Sequence, residues 1–448
     1  MWTQLVLLHA GVAAAAPLVS RDSTLLGCLS WKKRLTFDSN GNFKVVSFSD
    51  MHMGERWGNG SWASWGPSND AATQNVHATV LDQEKPNYVL DWVSVLTAGS
   101  VFNGDHMTGE NVFANNATGY LDQVFKPTVD RGIPFSSTHG NHDNANNINH
   151  NEEIEYEQAH YGSLSYTRSD VGPKPYGNGN YWVPVYANEW DWAPALVMWF
   201  FDSRSFVSGT GNGPGPVPDA ANYYWVDENT VPAYIKTQSL LMKLIVGPVL
   251  HWTECRIKPL SAAVGRDPAF ARLRAHPGEC DAVTMLVLNV EFFHVVVIEH
   301  LADEEQFQKS DILSTLPSAG DHDDEPDPST QGYLNNTYTG LDLPTFQEIV
   351  ALSQGTNKVL AVTSGHDHGE SWCARSKDSS GISLCFDGHS GYGGYLTTHS
   401  TVRNGRVFNV KLSDIRQTSP TVETWNSYEN KTTGEFVVLG KDYMAAYN

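Results

Sequence analysis

Short apolar runs recur along this chain, and several stop abruptly at aspartate, asparagine or histidine. Residues 43–48 lead into Ser49-Asp50-Met51-His52, and Val101-Phe102 leads into Asn103-Gly104-Asp105. The run at 133–135 is followed by His139-Gly140-Asn141-His142-Asp143. The run at 285–293 delivers His294, and that at 359–362 delivers Gly365-His366-Asp367-His368. Helix-like stretches lie between them at 118–129, 230–244 and 345–352. Strand, helix and strand in alternation predict an α/β layered domain with a largely buried sheet. Ligands of such sheets gather beyond the carboxyl ends of the strands, so these polar groups are positioned to converge.

Other segments fill in the frame. Further apolar runs occur at 88–90 and 195–201. Leu35 to Phe48, interrupted by Asp38-Ser39-Asn40-Gly41-Asn42, reads as a hairpin whose second strand enters the core. Past Gly381 the pattern changes to short strands at 382–386, 407–412 and 435–439. No repeat and no clean linker divides the sequence, which predicts one domain over residues 35–440. Residues 318–330, rich in aspartate, read as a solvated acidic loop; calcium binding is the sharper alternative, without the spacing of an EF-hand.

The chemistry of the converging set is specific. Carboxylates, imidazoles and one amide oxygen, with no thiolate, suit Mn, Fe or Zn. Two such ions about 3.5–4 Å apart clamp the attacking and leaving oxygens of a phosphoryl transfer. A single histidine among 17 is more often structural. Asp-x-His, Gly-Asp, Gly-Asn-His-Asp and Gly-His-x-His in this order, each after a strand-like run, is a much stronger signal.

Charge narrows the partners. The chain has 448 residues, with 29 Lys and Arg against 50 Asp and Glu, a formal charge of −21. That excess repels a phosphate backbone and excludes nucleic-acid binding by a broad basic surface. Small anionic substrates remain accessible where bound cations reverse the field.

The N-terminus and the cysteines bear on location. Residues 1–16 hold a short apolar run ending in small residues, which reads as a signal peptide; a buried N-terminal helix is the alternative. No segment is long and apolar enough to cross a bilayer, which takes roughly 20 residues. Sequons at Asn59, Asn116, Asn335 and Asn430 fit a glycoprotein. Cys373 and Cys385 bracket a polar loop and read as a disulfide, with a zinc site as the competing reading. Cys255 and Cys280 could form a second bridge, leaving Cys28 odd. A secreted or vacuolar protein is expected.

With these motifs in hand, the sequence resembles the calcineurin-like metallophosphoesterases, and within them the secreted fungal members related to purple acid phosphatases. The matching parts are 35–52, 103–161, 181–243 and 342 to about 412, a little over half the chain. The resemblance implies a four-layer αββα sandwich with long loops and insertions, and a dinuclear centre of two divalent ions or an Fe(III)/M(II) pair. It implies that Asp50, His52 and His368 bind one ion, that Asp105 bridges, and that Asn141, His366 and His294 hold the second. His142 would lie beside the scissile phosphate. The activity implied is hydrolysis of phosphate monoesters, on a phosphorylated small molecule or a phosphoprotein. A phosphodiesterase or a protein serine/threonine phosphatase shares the chemistry, and an inactive glycoprotein could keep the fold.

Three features depart from the family. The related enzymes owe their purple colour to a tyrosinate three residues after the bridging aspartate, and that position here is Thr108. Residues 91–102 separate the run at 88–90 from the Gly-Asp motif, and residues 244–289 separate a helix from the strand before His294. Each block is either a surface insertion or translated intron sequence. The segment after His294 also lacks the proline-containing pattern of the family, which makes His300 a rival ligand.

Overall fold

A computed structural model describes residues 32–55, 67–85, 98–108, 116–140, 142–143, 148–170, 179–191, 193–202, 227, 229–249, 294–299, 333–334, 337–338, 343–353, 358–366, 368–375, 381–394 and 401–443. In chain order the elements are β1 (Leu35–Thr36), β2 (Asn42–Phe48), α1 (Pro67–Glu84), β3 (Ala98–Asn103), α2 (Ala117–Val129), β4 (Phe135–Thr138) and α3 (His150–Tyr161). There follow β5 (Tyr181–Tyr186), β6 (Pro194–Phe201), α4 (Val231–Val249), β7 (His294–Glu299), β8 (Tyr333–Leu334), β9 (Thr337–Tyr338) and α5 (Leu343–Leu352). The chain continues through β10 (Lys358–Ser364), β11 (Cys373–Arg375), β12 (Ser383–Phe386), β13 (Asn404–Lys411), α6 (Leu412–Ile415), β14 (Thr421–Tyr428) and β15 (Thr433–Gly440).

Two mixed sheets form the frame. One has seven strands in the order β1-β5-β6-β7-β10-β12-β11, the other six in the order β15-β14-β13-β2-β3-β4. Period-two alternation decides which layer each side chain enters. In β6, Leu196, Met198 and Phe200 join a core shared with Phe43, Val45 and Phe408 of the other sheet. Its alternate residues Val197, Trp199 and Phe201 pack with Ile235 of α4 and Phe346 of α5. On the opposite side, Val46 and Phe48 of β2 meet Val76 and Val80 of α1 and Val124 of α2. Helices, sheet, sheet and helices follow one another, the expected four-layer arrangement.

The strands that feed the site are parallel. β2, β3 and β4 run side by side in one sheet, as β6, β7, β10 and β12 do in the other. Their carboxyl ends therefore emerge together. There Asp387, which directly follows β12 and is fully buried, ties the sheets to each other. Its carboxylate accepts hydrogen bonds from Ser47 Oγ of β2 at 2.5 Å, from Asn103 Nδ2 of β3 at 2.8 Å, and from Thr363 Oγ1 of β10. Burial raises its pKa above the usual carboxylate value, while these three hydrogen bonds pull it back.

Several expectations are corrected. Leu35 to Phe48 is not a hairpin: β1 pairs in parallel with β5 in the seven-stranded sheet, while β2 lies in the other. Both edges of β2 are occupied, by β13 and β3, so β1 has no edge to pair with there. The turn at Asp38–Gly41 instead passes the chain between sheets, with Gly41 at φ 76° and its N–H donating to Asp38 O. The strand entering the Gly-Asp motif is Ala98–Asn103, paired on both sides, so residues 98–102 are core rather than a surface insertion. Residues 86–97 lie outside the described set, as do 250–293 of the second block, whereas α4 runs to Val249.

His294 opens β7 instead of following it. The register sets His294 against Leu196 and Lys358, at the end where β6 and β10 begin, and Glu299 against Phe201, just before Asp202. Five residues of strand span about 16 Å, so His294 lies a strand's length from the carboxyl ends. His300 follows Glu299 in sequence and is outside the described residues.

Cys373 and Cys385 face each other across the antiparallel pair β11 and β12 and form the expected disulfide, with Cα atoms 4.1 Å apart. Cys28, Cys255 and Cys280, the sequons Asn59 and Asn335, residues 1–16 and the acidic loop at 318–330 all fall outside the described residues. No described helix is long and apolar enough to cross a membrane.

Asp387→Ala leaves three buried donors without their acceptor and is expected to cost about 3 kcal/mol of stability. Urea unfolding measures it, and a change below about 0.5 kcal/mol would show that the sheets do not depend on this carboxylate.

Candidate metal centre

Asp50, His52, Asp105, His366 and His368 sit in loops that follow parallel strands. Seven non-glycine residues among those described have positive φ, and four of them are Asp50 (55°), His52 (46°), Asp105 (48°) and His366 (82°). Left-handed backbone costs an ordinary side chain of order 1 kcal/mol. Its concentration at these positions marks loops bent by their surroundings to aim donors inward. Cross-loop hydrogen bonds hold the bends: Met51 N and His52 N donate to Asp105 O at 2.9 and 3.0 Å, and Gly391 N donates to Asp50 O at 3.2 Å.

Asp50, His52 and His368 present donor atoms to one point, and His52, Asp105 and His142 to an adjoining one. His52 Nε2 lies 3.1 Å from His368 Nε2 and 3.6 Å from Asp105 Oδ2, while His368 Nε2 is 3.7 Å from Asp50 Oδ1. Donors around an ion with 2.0–2.2 Å bonds stand about 3–3.5 Å apart, so the set fits cations of the expected kind. His142 N donates to Asp105 Oδ1 at 2.8 Å, and His366 N donates to both oxygens of Asp50 at 3.1 and 3.0 Å. Asp50, His52, Asp105 and His368 are 2% exposed or less, against 8% for His142, which stands on the solvent side. Asn141 and Asp367 lie outside the described residues.

Close packing leaves no room for larger residues at two turns. A Cβ on Gly140 would meet Asp105 Oδ1 at 2.2 Å, and one on Gly394 would meet His368 Cε1 at 2.3 Å. The glycine-rich stretch at 390–394 is thus a tight turn beside the site. It packs on the Asp50–His52 loop through Ser390 N, which donates to Ser49 O at 3.0 Å, and Gly394 N, which donates to Glu55 Oε2 at 2.6 Å.

No family model matches the sequence. The chain is 22% identical over 400 residues to phosphatase DCR2 of Saccharomyces cerevisiae, covering 88% of this chain and 55% of the relative. It is 23% identical over 420 residues to probable inactive purple acid phosphatase 29 of Arabidopsis thaliana, covering 89% and 86% respectively. A dimetal phosphatase from Danio rerio of solved structure matches with a TM-score of 0.45 and 11% identity, over 89% of this chain and 99% of that one. The sequence relatives of the present chain are thus phosphatase DCR2 and purple acid phosphatase-like proteins, consistent with the calcineurin-like metallophosphoesterase superfamily. The chain spans about half the length of the yeast phosphatase and most of the plant protein.

Against that family, Thr108 has a definite place. Its Oγ1 lies 3.0 Å from His52 Nδ1, in a fully buried contact that fixes the imidazole plane and leaves Nε2 toward the other donors. Two further residues escaped the sequence reading. His389 packs against His368 with ring centroids 3.9 Å apart and the planes tilted by 34°, and its Nε2 lies 3.0 Å from Gly393 O. Asp387 ties the strand ends below. Each follows the apolar run at 383–386, the same signal that marked the other loops, but neither belongs to a recognisable motif.

Two measurements test this centre. Iron-loaded protein should show no tyrosinate-to-iron absorption band in the visible, because Thr108 replaces the phenolate; a purple ferric species would contradict that. Gly140→Ala should lower bound metal at least tenfold with an unchanged circular-dichroism spectrum, and full metal content in this variant would show that the loop has room to spare.

Proposed function

We propose that the protein hydrolyses phosphate monoesters at a dinuclear centre held by Asp50, His52, Asp105, Asn141, His366 and His368. The observation carrying this reading is the convergence of Asp50, His52, Asp105, His142 and His368 at strand ends drawn from both sheets. Two bound ions, of iron, manganese or zinc, would supply Lewis acidity and a hydroxide nucleophile near neutral pH. For a further imidazole we favour His300 over His294, since β7 starts at His294 and finishes beside the strand end that precedes Asp202.

The chain's own residues do the rest. Asp105 is oriented by the His142 N–H and is the carboxylate best placed to bridge. Thr108 holds the His52 ring, and the His366 N–H steers Asp50. His142, the most exposed of the buried set, faces an incoming ester. As an imidazolium it stabilises the phosphoryl oxygens and passes a proton to the departing alkoxide. The natural substrate is a phosphorylated small molecule or a phosphoprotein.

The names of the plant relatives, which include the words probable inactive, favour a second reading in which the fold persists without turnover. Hydrolysis of a generic aryl phosphate, measured together with metal content, separates the two. Two ions with turnover support the enzyme; no turnover in the metal-loaded protein sinks it. His142→Ala should then lower kcat about 10²–10⁴-fold with metal content intact, and metal loss in this variant would contradict its role.

A secretory route is proposed as well, supported by the disulfide and by exposed sequon residues Asn116 and Asn430. N-glycosidase treatment of protein from its native cells should reduce its apparent mass.

A further inference from the structure

Helix α3 buries an unusual stripe. A capping box starts it, with Glu152 N donating to Asn149 Oδ1 at 3.1 Å and Asn149 N donating to Glu152 Oε2 at 3.0 Å. That start sets His150, Glu153 and Glu157 on one face, each 1% exposed. Glutamate and histidine are rarely buried so fully unless paired or bound to an ion. Facing them from the ends of β3 and β4 are His106 and His139, with Asp143 nearby, all at 0% exposure.

Some of these side chains have pairings that explain their burial. His150 Nδ1 lies 3.0 Å from Asp202 Oδ1, and its Nε2 lies 2.9 Å from Gly140 O. Glu157 accepts from Ser165 Oγ at 2.5 Å and from Thr167 Oγ1. His106, His139 and Glu153 are different. Among the described residues, both ring nitrogens of His139, Nε2 of His106 and Oε1 of Glu153 have no hydrogen-bond partner.

The three nevertheless aim at one point. Glu153 Oε2 lies 3.3 Å from His106 Nδ1 and 3.7 Å from His139 Nε2, and one ligand atom from each residue lies within 4.8 Å of the others. The two imidazoles meet at 70° with centroids 5.5 Å apart, so their edges converge without stacking. Tetrahedral zinc with bonds near 2.0–2.1 Å sets its ligand atoms about 3.4 Å apart. Asp143 Oδ2 lies 3.9 Å from His106 Nδ1 but stands outside this three-residue group and accepts from Gly140 N at 2.9 Å. The charge balance agrees, because four enclosed carboxylates (Asp143, Glu153, Glu157 and Asp202) face three imidazoles, and a divalent cation offsets the surplus.

We propose that His106, His139 and Glu153 bind a third divalent metal ion, zinc by its donor set, which pins α3 against the ends of β3 and β4. Complete enclosure gives it a structural role. It is distinct from the dinuclear centre: Asp105 and His106 are adjacent in sequence but belong to separate donor groups. Without an ion the same cluster holds protons. Burial works against the His106 imidazolium, but Asp143, Glu153 and Glu157 together outweigh it and push the group up to about 9, while burial pushes Glu153 up to about 8.

The test needs no turnover, and only its baseline of three ions rests on the proposed dinuclear centre; the loss of one ion in each variant is the readout. Metal analysis of full-length protein purified with zinc supplied should give three ions per chain, falling to two in Glu153→Gln and in His139→Phe. Cobalt-substituted protein should lose a tetrahedral d–d absorption component in the same variants. Should neither variant fold, anomalous scattering at the zinc edge from wild-type crystals decides the matter. A peak between His106, His139 and Glu153 supports the site. No peak there, or three ions retained in both folded variants, overturns it.

Discussion

Two sheets packed only through apolar side chains would be free to slide over one another, and Asp387 removes that freedom. Its carboxylate takes hydrogen bonds from β2 and β3 in one sheet and from β10 in the other, at zero exposure. A buried carboxylate is costly without its donors, so the sheets are held in the one registration that supplies all three. That registration brings the loop carrying Asp50 and His52, which follows β2, to the loop carrying His366 and His368, which follows β10. The apolar core gives the sandwich its stability, and this polar junction gives it alignment.

Strain is the second ingredient. Four candidate ligands hold left-handed backbone, and two glycines sit where any side chain would collide with Asp105 or His368. Such a conformation survives only when its surroundings over-determine it. Here hydrogen bonds between the Asp50, Asp105 and Gly391 loops do so. The chain therefore pre-arranges its donors instead of relying on an ion to gather them, which suits a site that must keep its shape while charge moves through it.

Much of this was legible because the relevant signals are local. An apolar run ending at Asp or His states both the strand and the direction in which its ligand emerges, and β2, β6 and β10 appeared where their runs lie, while β4 begins only at the last residue of its run. What failed depended on partners. Alternation around Leu35 and Phe43 announces strands but cannot say that β2 already has both edges filled. The apolar run before His294 resembled the others, yet β7 begins at the residue that was expected to follow it. Helix α1 was missed because its sequence, with Ser68, Asn69, Asp70, Thr73, Gln74 and Asn75 early on, carries little apolar periodicity. The buried stripe of α3 was invisible for a related reason: His150, Glu153 and Glu157 look like a solvent face until tertiary packing covers them.

The placement of β2 also bears on how the protein is made. This strand, near the start of the chain, is flanked by β13, near its end, and the turn at 390–394 that closes on Asp50 and His52 is likewise a late arrival. On the ribosome the first ligands therefore emerge long before the segments that bend and shield them. Contacts of such wide sequence separation form slowly and leave apolar edges open meanwhile. A nascent chain that has not yet reached β10 would hold β1, β5, β6 and β7 of one sheet but not the turn at 390–394, so the candidate site closes only after β13 has emerged.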